Sequence, residues 1–415
     1  ETDEVVSGDA GWLFYKQQFD AWSCARRAAL DNELARAETI LSIAEAAGAN
    51  VTFVSAPNKA SIERTHLTGR AARYAPCYFD FEARFRASLS RFPDHAVVDH
   101  AAALAMLGSS QQRFFMQDTH WTPRAAYAAI AQLRDARPGV FPAPLPPIAS
   151  EQARMRHTDL GNTMLRLRTE EPHAHPVFGP AASAEAGRGV LIIHDSFYGL
   201  IRDQLRAFFP AATLASLNRG PPLDYETLRG FDHIVVQSVE RRFLARLNQE
   251  WTGPESTTYN WGSPLGDHIL DQAAAAAAQC DWSVAVNILD SAEAEARPLG
   301  MEFTSSTHVS TRSDPRITFM LPAPDTGTVC LEAEFSHPTA TQTKLFLERD
   351  THGDGGPMFA EPQSIYRSVQ PGRSRFAIVL PRSALGRLAR FDPVVGGDFE
   401  LHSFRIAPRP SSRVH

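Results

Sequence analysis

The sequence predicts an α/β three-layer fold followed by an antiparallel β-sandwich, and three observations lead there. Short apolar strands alternate with helical patterns over the first part of the chain, as at "VTFVS" (Val51–Ser55), "AVVD" near Val97, Val190–Ile193, "ATLASL" near Leu214 and "DHIVVQS" near Val235. Uninterrupted strands separated by helices imply a parallel sheet covered on both faces. After Cys280 the texture changes. "ITFMLPAP", "TVCLEAEFS", "TKLFLERD", "SRFAIVLPRSAL" and "FELHSFRI" are short or alternating apolar segments split by Gly, Pro, Asp and Ser turns. That is the pattern of an antiparallel sandwich of roughly 130 residues. Finally, 415 residues exceed one ordinary core. The expected domains are residues 1–275, carrying the parallel sheet, and residues 276–415, carrying the sandwich.

Taken in order, Ala21–Ala47 reads as a helix stopped by Gly48, and the first strand then runs into a Pro-containing loop. Phe79–Phe92 is helical. Thr122 and Pro123 make an N-cap and first turn for a helix over Pro123–Ala136. "FPAPLPPIAS" (Phe141–Ser150) is a Pro-rich surface excursion that interrupts the α/β pattern without ending it. Val190–Ile193 is a buried strand, since nothing polar breaks it, and a helix over Tyr198–Phe209 follows. "GPESTTYNWGSPLGD" around Pro254 is irregular, and a short helix near Ile269–Gln279 closes the first domain. There is no internal repeat. The tail "APRPSSRVH" reads as a frayed end.

Composition narrows the function classes. The hydrophobic fraction of 43% and charged fraction of 21% are those of a soluble globular protein. A net charge of -6, from 41 basic and 47 acidic residues with no basic block, argues against nucleic-acid binding. No apolar run reaches about 18 residues, so no membrane span is expected. The small-residue run Ala273–Ala278 is too short. A start at Glu1 rather than Met suggests a matured, exported chain whose signal or anchor is not in this sequence. Cys24, Cys77, Cys280 and Cys330 fall two in each half, which suits one disulfide per domain, Cys24–Cys77 and Cys280–Cys330, in an oxidising compartment. Four cysteines allow three connectivities, and four buried free thiols are the alternative.

The chemistry concentrates in two stretches. "MQDTHWTPRAAYAAI" sets Asp118 one residue from His120, just ahead of a helix start. "VLIIHDSFYGL" places Ser196 between a buried strand and a helix, at the carboxyl edge of a parallel sheet where such folds build their sites. The helix behind Ser196 offers free N–H groups and a positive dipole end, which suit an oxyanion. A serine hydroxyl needs a base; His120 supplies one, and Asp118 orients its ring and favours the imidazolium. The chain order Asp, His, Ser is one of several that triads adopt. Read singly, Ser196 is an ordinary helix cap and His120 and Asp118 are ordinary turn residues.

Several stretches together resemble the SGNH-hydrolase-like family of bacterial exopolysaccharide O-acetyltransferases of the AlgX and AlgJ type. They are "VVSGDAGWLFY" (Val5–Tyr15), "APNKASI" (Ala56–Ile62), "DTHW" (Asp118–Trp121), "TDLGNTM" (Thr158–Met164), "IIHDSF" (Ile192–Phe197) and "VVQSVERRF", in family order over about the first 250 residues. The resemblance implies an SGNH-like catalytic fold, a Ser196–His120–Asp118 triad, an acetyl-serine intermediate and a polysaccharide hydroxyl as acceptor. It also implies a membrane-bound O-acyltransferase as the partner that supplies acetyl groups; the expected setting is periplasmic, and no cofactor is expected. Two departures stand out: His194 replaces the Gly that often precedes the Asp-Ser pair, and Thr158 replaces the Gly ahead of Asp159. His194 either crowds the oxyanion region or lines the site.

The remaining candidates are of lower rank. The Ser196 N–H is the natural first oxyanion donor, with the amides of Asn58 and Asn162 as candidate partners. Lys59 is a candidate for an anionic sugar, against a solvated surface lysine. Arg241 is a candidate for a substrate carboxylate, against an ion pair with Glu240. Tyr198 lines the entrance or belongs to the core, Trp121 stacks on sugar or packs under His120, and Trp12 anchors the core. The sandwich resembles carbohydrate-binding modules; Trp282, Phe346, Tyr366 and Phe391 are candidate platforms against a core role. No metal site is expected: His173 with His175, and Asp350, His352 and Asp354, lack a complete ligand set. No Gly-rich phosphate loop is present. Two rivals share the observations, an acetylesterase using the same triad and a non-catalytic glycan-binding scaffold of a polysaccharide-export assembly.

Overall fold

The computed structural model describes residues 4–108, 111–141, 144–179, 186–217, 223–248, 264–290, 295–303, 308–321, 327–347, 364–381, 388–394 and 397–409. It divides into two compact units, one built from residues 1–34, 50–221 and 226–246 and the other from residues 35–49, 222–225 and 247–415. The division falls at Arg246 and Leu247, ahead of the boundary expected at residue 275. The helix Pro264–Ala277 therefore groups with the sandwich, and its buried Leu265, Ile269, Leu270 and Ala273 form its core-facing stripe.

The first unit opens on a hairpin of β1 (Val5–Ser7) and β2 (Leu13–Tyr15). Its centre is a five-stranded parallel sheet of β3 (Val51–Ala56), β4 (Val97–Asp99), β7 (Val190–His194), β8 (Thr213–Ser216) and β9 (His233–Val239), in the order β4-β3-β9-β7-β8. All five strands were predicted. β3, β7 and β9 are buried at every position, as continuous apolar runs covered on both faces require. The register sets Ala56 beside Val239, and His194 beside Ser216, so the carboxyl ends of the strands lie level. Gly189 is needed just before β7: at φ +70 it accepts the Asp232 N–H, and a Cβ there would collide with the Asp232 side chain.

Two elements differ from expectation. The helix expected over Tyr198–Phe209 is two helices, Ser196–Gly199 and Arg202–Phe208. The Pro-rich excursion leads into β5 (Ile148–His157), which pairs antiparallel with β6 (Glu170–Phe178). This hairpin was not predicted. Most of β5 is exposed, so it carries no apolar alternation to read.

The second unit holds β10 (Val286–Asn287), β11 (Arg297–Phe303), β12 (His308–Met320), β13 (Thr328–His337), β14 (Thr341–Leu347), β15 (Ser364–Val369), β16 (Gly372–Pro381), β17 (Leu388–Asp392) and β18 (Phe399–Pro408), all antiparallel. β12 joins the two faces of a sandwich: His308 and Val309 pair with β18, whereas Ile317–Met320 pair with β17. Phe391 on β17 packs against Phe404, Phe335 and Phe376 of β18, β13 and β16 at 5.0, 6.4 and 5.6 Å between ring centroids. Disulfides join Cys24 to Cys77 in the first unit and Cys280 to Cys330 in the second, with Cα separations of 5.3 and 6.5 Å. No described helix is long and apolar enough to cross a membrane. The stretch around Pro254, and Asp350, His352 and Asp354, lie outside the described residues.

Candidate active site

The site forms at the level carboxyl edge of the parallel sheet, where the chain leaves β3, β7 and β9. After β7, Asp195 caps the helix Ser196–Gly199. One carboxylate oxygen accepts the Phe197 N–H at 2.9 Å, and the other accepts the Val239 N–H of β9 at 2.7 Å. The Asp195 N–H donates to the Gln237 side chain at 3.1 Å. Asp195 thus ties two strands and fixes the turn, leaving Ser196 exposed with its N–H as the first amide of the helix, which has no intrahelical partner.

Asp118 and His120 lie on a turn closed by an antiparallel bridge between Phe114 and Trp121. Asp118 Oδ1 is 2.7 Å from His120 Nδ1 and also accepts the His120 N–H at 3.0 Å. A carboxylate acceptor there places the ring proton on Nδ1 and leaves the Nε2 lone pair as a base. The His120 ring packs against Phe197, the residue after Ser196, at 5.1 Å between centroids. Trp121 lies beneath, fully buried, its indole N–H donating to the Phe197 carbonyl at 3.2 Å. Trp121 is therefore a support for this juncture and not a sugar platform.

Two residues that were not singled out complete the pair's surroundings. Arg156 of β5 donates to Asp118 Oδ2 at 2.9 Å, and the Asp159 N–H reaches the same oxygen at 3.1 Å. Burial alone would raise the Asp118 pKa. The hydrogen bond and charge of His120, with the Arg156 guanidinium, outweigh it and hold the carboxyl well below the usual carboxylate range. The Asp159 carboxylate accepts the Thr119 N–H at 2.7 Å and lies 3.6 Å from His120 Nδ1. Burial, and then the Asp118 charge, push its pKa up. Asp159 belongs to a segment the resemblance had marked, whereas Arg156 carried no signal, being one arginine on an exposed strand. Asp118, His120 and Asp159 offer atoms within 4.8 Å of one another, the kind of set that could hold a metal ion. The partners already on Asp118, a guanidinium, a peptide N–H and an imidazole N–H, make the set a hydrogen-bonded relay. His173 and His175 sit on β6, with the His173 ring edge-on to Phe115 at 5.1 Å.

The lower-ranked candidates separate clearly. Asn58 follows β3 and is fully buried. Its Oδ1 accepts from Arg241 at 2.9 Å, which orients the amide; its Nδ2 makes no well-formed hydrogen bond and acts only weakly on the Tyr78 hydroxyl. A buried amide donor without a well-formed hydrogen bond is costly unless something else takes it up. Arg241 does not pair with Glu240. Its guanidinium bonds Asn58 and lies over the Tyr15 ring at 5.3 Å, and its pKa is lowered by burial. Glu240 instead pairs with Arg86 and accepts from the Asn58 N–H at 2.8 Å and the Ser61 hydroxyl at 2.7 Å. Burial raises the Glu240 pKa to about 7, Arg86 opposing and Glu82 and Asp99 adding to the rise.

Four expectations are corrected. Lys59 is neither a surface lysine nor open to a sugar, being 2% exposed with its ammonium on three backbone carbonyls. The Asn162 amide is taken by the Thr169 carbonyl, so it is no oxyanion donor. Tyr198 is a core residue, its hydroxyl 2.7 Å from His100 Nε2. His194 is 2% exposed, its Nδ1 on the Asp195 carbonyl at 2.8 Å, so it is buried behind the Ser196 turn and does not line the candidate site. Thr158, in place of a glycine, bonds Thr169 at 2.6 Å, and the closeness of both hydroxyls to Gly161 leaves no room there for a Cβ. In the sandwich, Phe346, Tyr366 and Phe391 are buried, while Trp282 is half-buried under the Arg405 guanidinium at 5.1 Å.

Residues 5–168 match the family described as "SGNH hydrolase-like domain, acetyltransferase AlgX". That stretch, which lies mostly within the first unit, is similar to an AlgX/AlgJ-type SGNH hydrolase-like domain. The match takes in Asn58, Lys59, Asp118, His120 and Asp159 and ends before Ser196. A probable alginate O-acetylase AlgJ of Pseudomonas syringae pv. tomato is 29% identical over 134 residues, covering 31% of this chain and 32% of that protein. This chain thus spans about a third of the curated relative it matches. Among solved structures, the O-acetyltransferase domain of Pseudomonas putida AlgJ matches at 18% identity and a TM-score of 0.38, over 58% of this chain and 92% of that one. Pseudomonas aeruginosa AlgX matches at 13% identity and a TM-score of 0.39, over 98% and 94%. Both the family description and the curated relative's name are those of O-acetyl-transferring proteins.

Proposed function

We propose that this chain is an O-acetyltransferase that carries an acetyl group on Ser196 and passes it to hydroxyls of an exported polysaccharide. The observation that carries the reading is the His120–Asp118 pair, its Nδ1 side occupied by a carboxylate and its ring against Phe197, next to an exposed Ser196. His120 Nε2 takes the Ser196 proton as the hydroxyl oxygen attacks the carbonyl carbon of an acetyl ester. The resulting oxyanion is met by the Ser196 N–H and the Nδ2 of Asn58, with Arg241 holding the Asn58 amide in orientation. Collapse expels the donor alcohol, which receives the proton from His120. An acceptor hydroxyl then gives its proton to His120 and attacks acetyl-Ser196, restoring the serine. Asp118, kept ionised by its partners, stabilises the imidazolium at both stages.

The two disulfides suit an oxidising compartment such as the periplasm. Acetyl-CoA is absent there, so the donor would come from a membrane-bound O-acyltransferase. The sandwich would hold the glycan chain, with Trp282 its half-buried aromatic candidate. Exposure of Ser196 also lets water reach the acyl-enzyme, so hydrolysis to free acetate is the second reading. Chromogenic acetyl ester turnover should be lost in Ser196→Ala with the fold intact; undiminished turnover would end the triad assignment. With an acetyl ester and an oligosaccharide supplied together, acetylated sugar supports transfer and acetate alone supports the esterase. Sugar binding with no ester turnover at all would leave only the scaffold.

A further inference from the structure

We propose that Lys59 is a positioning residue that sets the Asp118–His120 pair by gripping the backbone of the turn that carries it; this rests on the triad reading above. A lysine is rarely interior without a specific partner set. Lys59 Nζ has three: the carbonyls of Leu13, Met116 and Asp118, at 2.6, 2.6 and 3.2 Å. An ammonium has three donors, so all are used. The ammonium also lies over the Trp12 and Phe14 rings, at 4.9 and 5.3 Å. One contact is to the peptide of Asp118 itself, and another to Met116, whose carbonyl also receives the Leu13 N–H at 2.9 Å. The same turn is held from the opposite polarity by Glu171 of β6, 7% exposed, which accepts the Met116 and Gln117 N–H groups at 2.6 and 3.0 Å. A buried cation takes the carbonyls and a buried anion takes the amides, so the turn has little freedom to re-aim Asp118.

The charged groups acting on Lys59 are Glu171, Asp118, Asp159 and Glu63, all acidic. Burial pulls its pKa down to about 7, and these four carboxylates, Glu171 first among them, hold it from falling further. Deprotonation removes one donor, so the grip on the turn weakens as pH rises through about 7.

The test uses the whole chain and a chromogenic acetyl ester. Lys59→Met should lower kcat by about 10²-fold, the scale of a misplaced catalytic group, with KM little changed. It should also shift or erase the downfield proton resonance of the His120 Nδ1–H on Asp118. Lys59→Arg, which keeps the cation at every pH, should retain part of the activity and lose the fall in kcat above about pH 7. Unchanged kcat together with an unchanged resonance in Lys59→Met would overturn the proposal. Should Lys59→Met fail to fold, Glu171→Gln decides: its fall in kcat should move to lower pH, and a fall left at the wild-type pH would overturn the proposal. The resonance is read without turnover. If Ser196→Ala stays active, the triad reading falls while Lys59 is still judged by the resonance.

Discussion

In the first unit buried charge is tied to the peptide groups of turns; in the second, buried Glu332 and Asp392 are paired with arginines on strands. Asp118, Lys59, Asp195 and Glu240 are all 2% exposed or less, and each bonds at least one peptide group of the turns at the candidate site. In the sandwich the buried carboxylate of Glu332 is flanked by Arg375 and Arg405 from the neighbouring strands, whose side chains are 49% and 38% exposed. There the cations reach solvent and bond a side-chain carboxylate, so no peptide group of a turn is fixed by them. Buried charges cost desolvation and persist only where their surroundings over-determine them, as in preorganised sites. Charge tied to the peptides of turns is what the site proposed in the parallel-sheet unit would require.

The sharpest way to break that contrast is Asp118→Asn. It keeps the shape but supplies no charge for the imidazolium, and should cut ester turnover by about 10⁴-fold; a loss under tenfold would mean Asp159 can stand in. Asn58→Ala should lower kcat by about 10²–10³-fold, the cost of one oxyanion donor, with KM nearly constant. Replacing Cys280 and Cys330 together by Ser should lower the stability of the sandwich by about 2–5 kcal/mol in urea unfolding while ester turnover stays at the wild-type level. Lost turnover would show that the two units are not functionally separable.

The smallest effect concerns Glu240. Its folded pKa, about 7, lies above the unfolded carboxylate value, so the folded state binds the extra proton between the two. Stability from this group is complete at low pH and is lost as pH rises from about 4.5 through about 7, by up to about 3 kcal/mol. Glu240→Gln should remove that slope from unfolding curves taken at pH 5 and pH 8, and an unchanged slope would refute the assignment.

The sequence made the central sheet legible because β3, β7 and β9 are buried on both faces and read as continuous apolar runs. It also exposed Asp118, His120 and Ser196, each beside a strand end or a helix cap. Lys59 was misread because lysine is ordinarily a surface residue, and its three carbonyl partners come from positions 13, 116 and 118, apart in the chain. Arg156 was missed with the whole β5–β6 hairpin, whose exposed first strand has no pattern. The long helix expected after Ser196 failed locally: Leu200 and Ile201 continue its apolar face, yet they lie between the two helices. Periodicity reports which face is buried, not where a hydrogen-bond ladder stops.

The central claim is that a serine at the carboxyl edge of the sheet takes up the acetyl group. Intact-mass and peptide mass spectrometry after brief incubation with an activated acetyl ester tests it directly. The account predicts one added acetyl on the peptide containing Ser196, absent in Ser196→Ala and greatly slowed in His120→Ala. Acetyl transfer to sugar with no label on Ser196, or the same label in both variants, would contradict it.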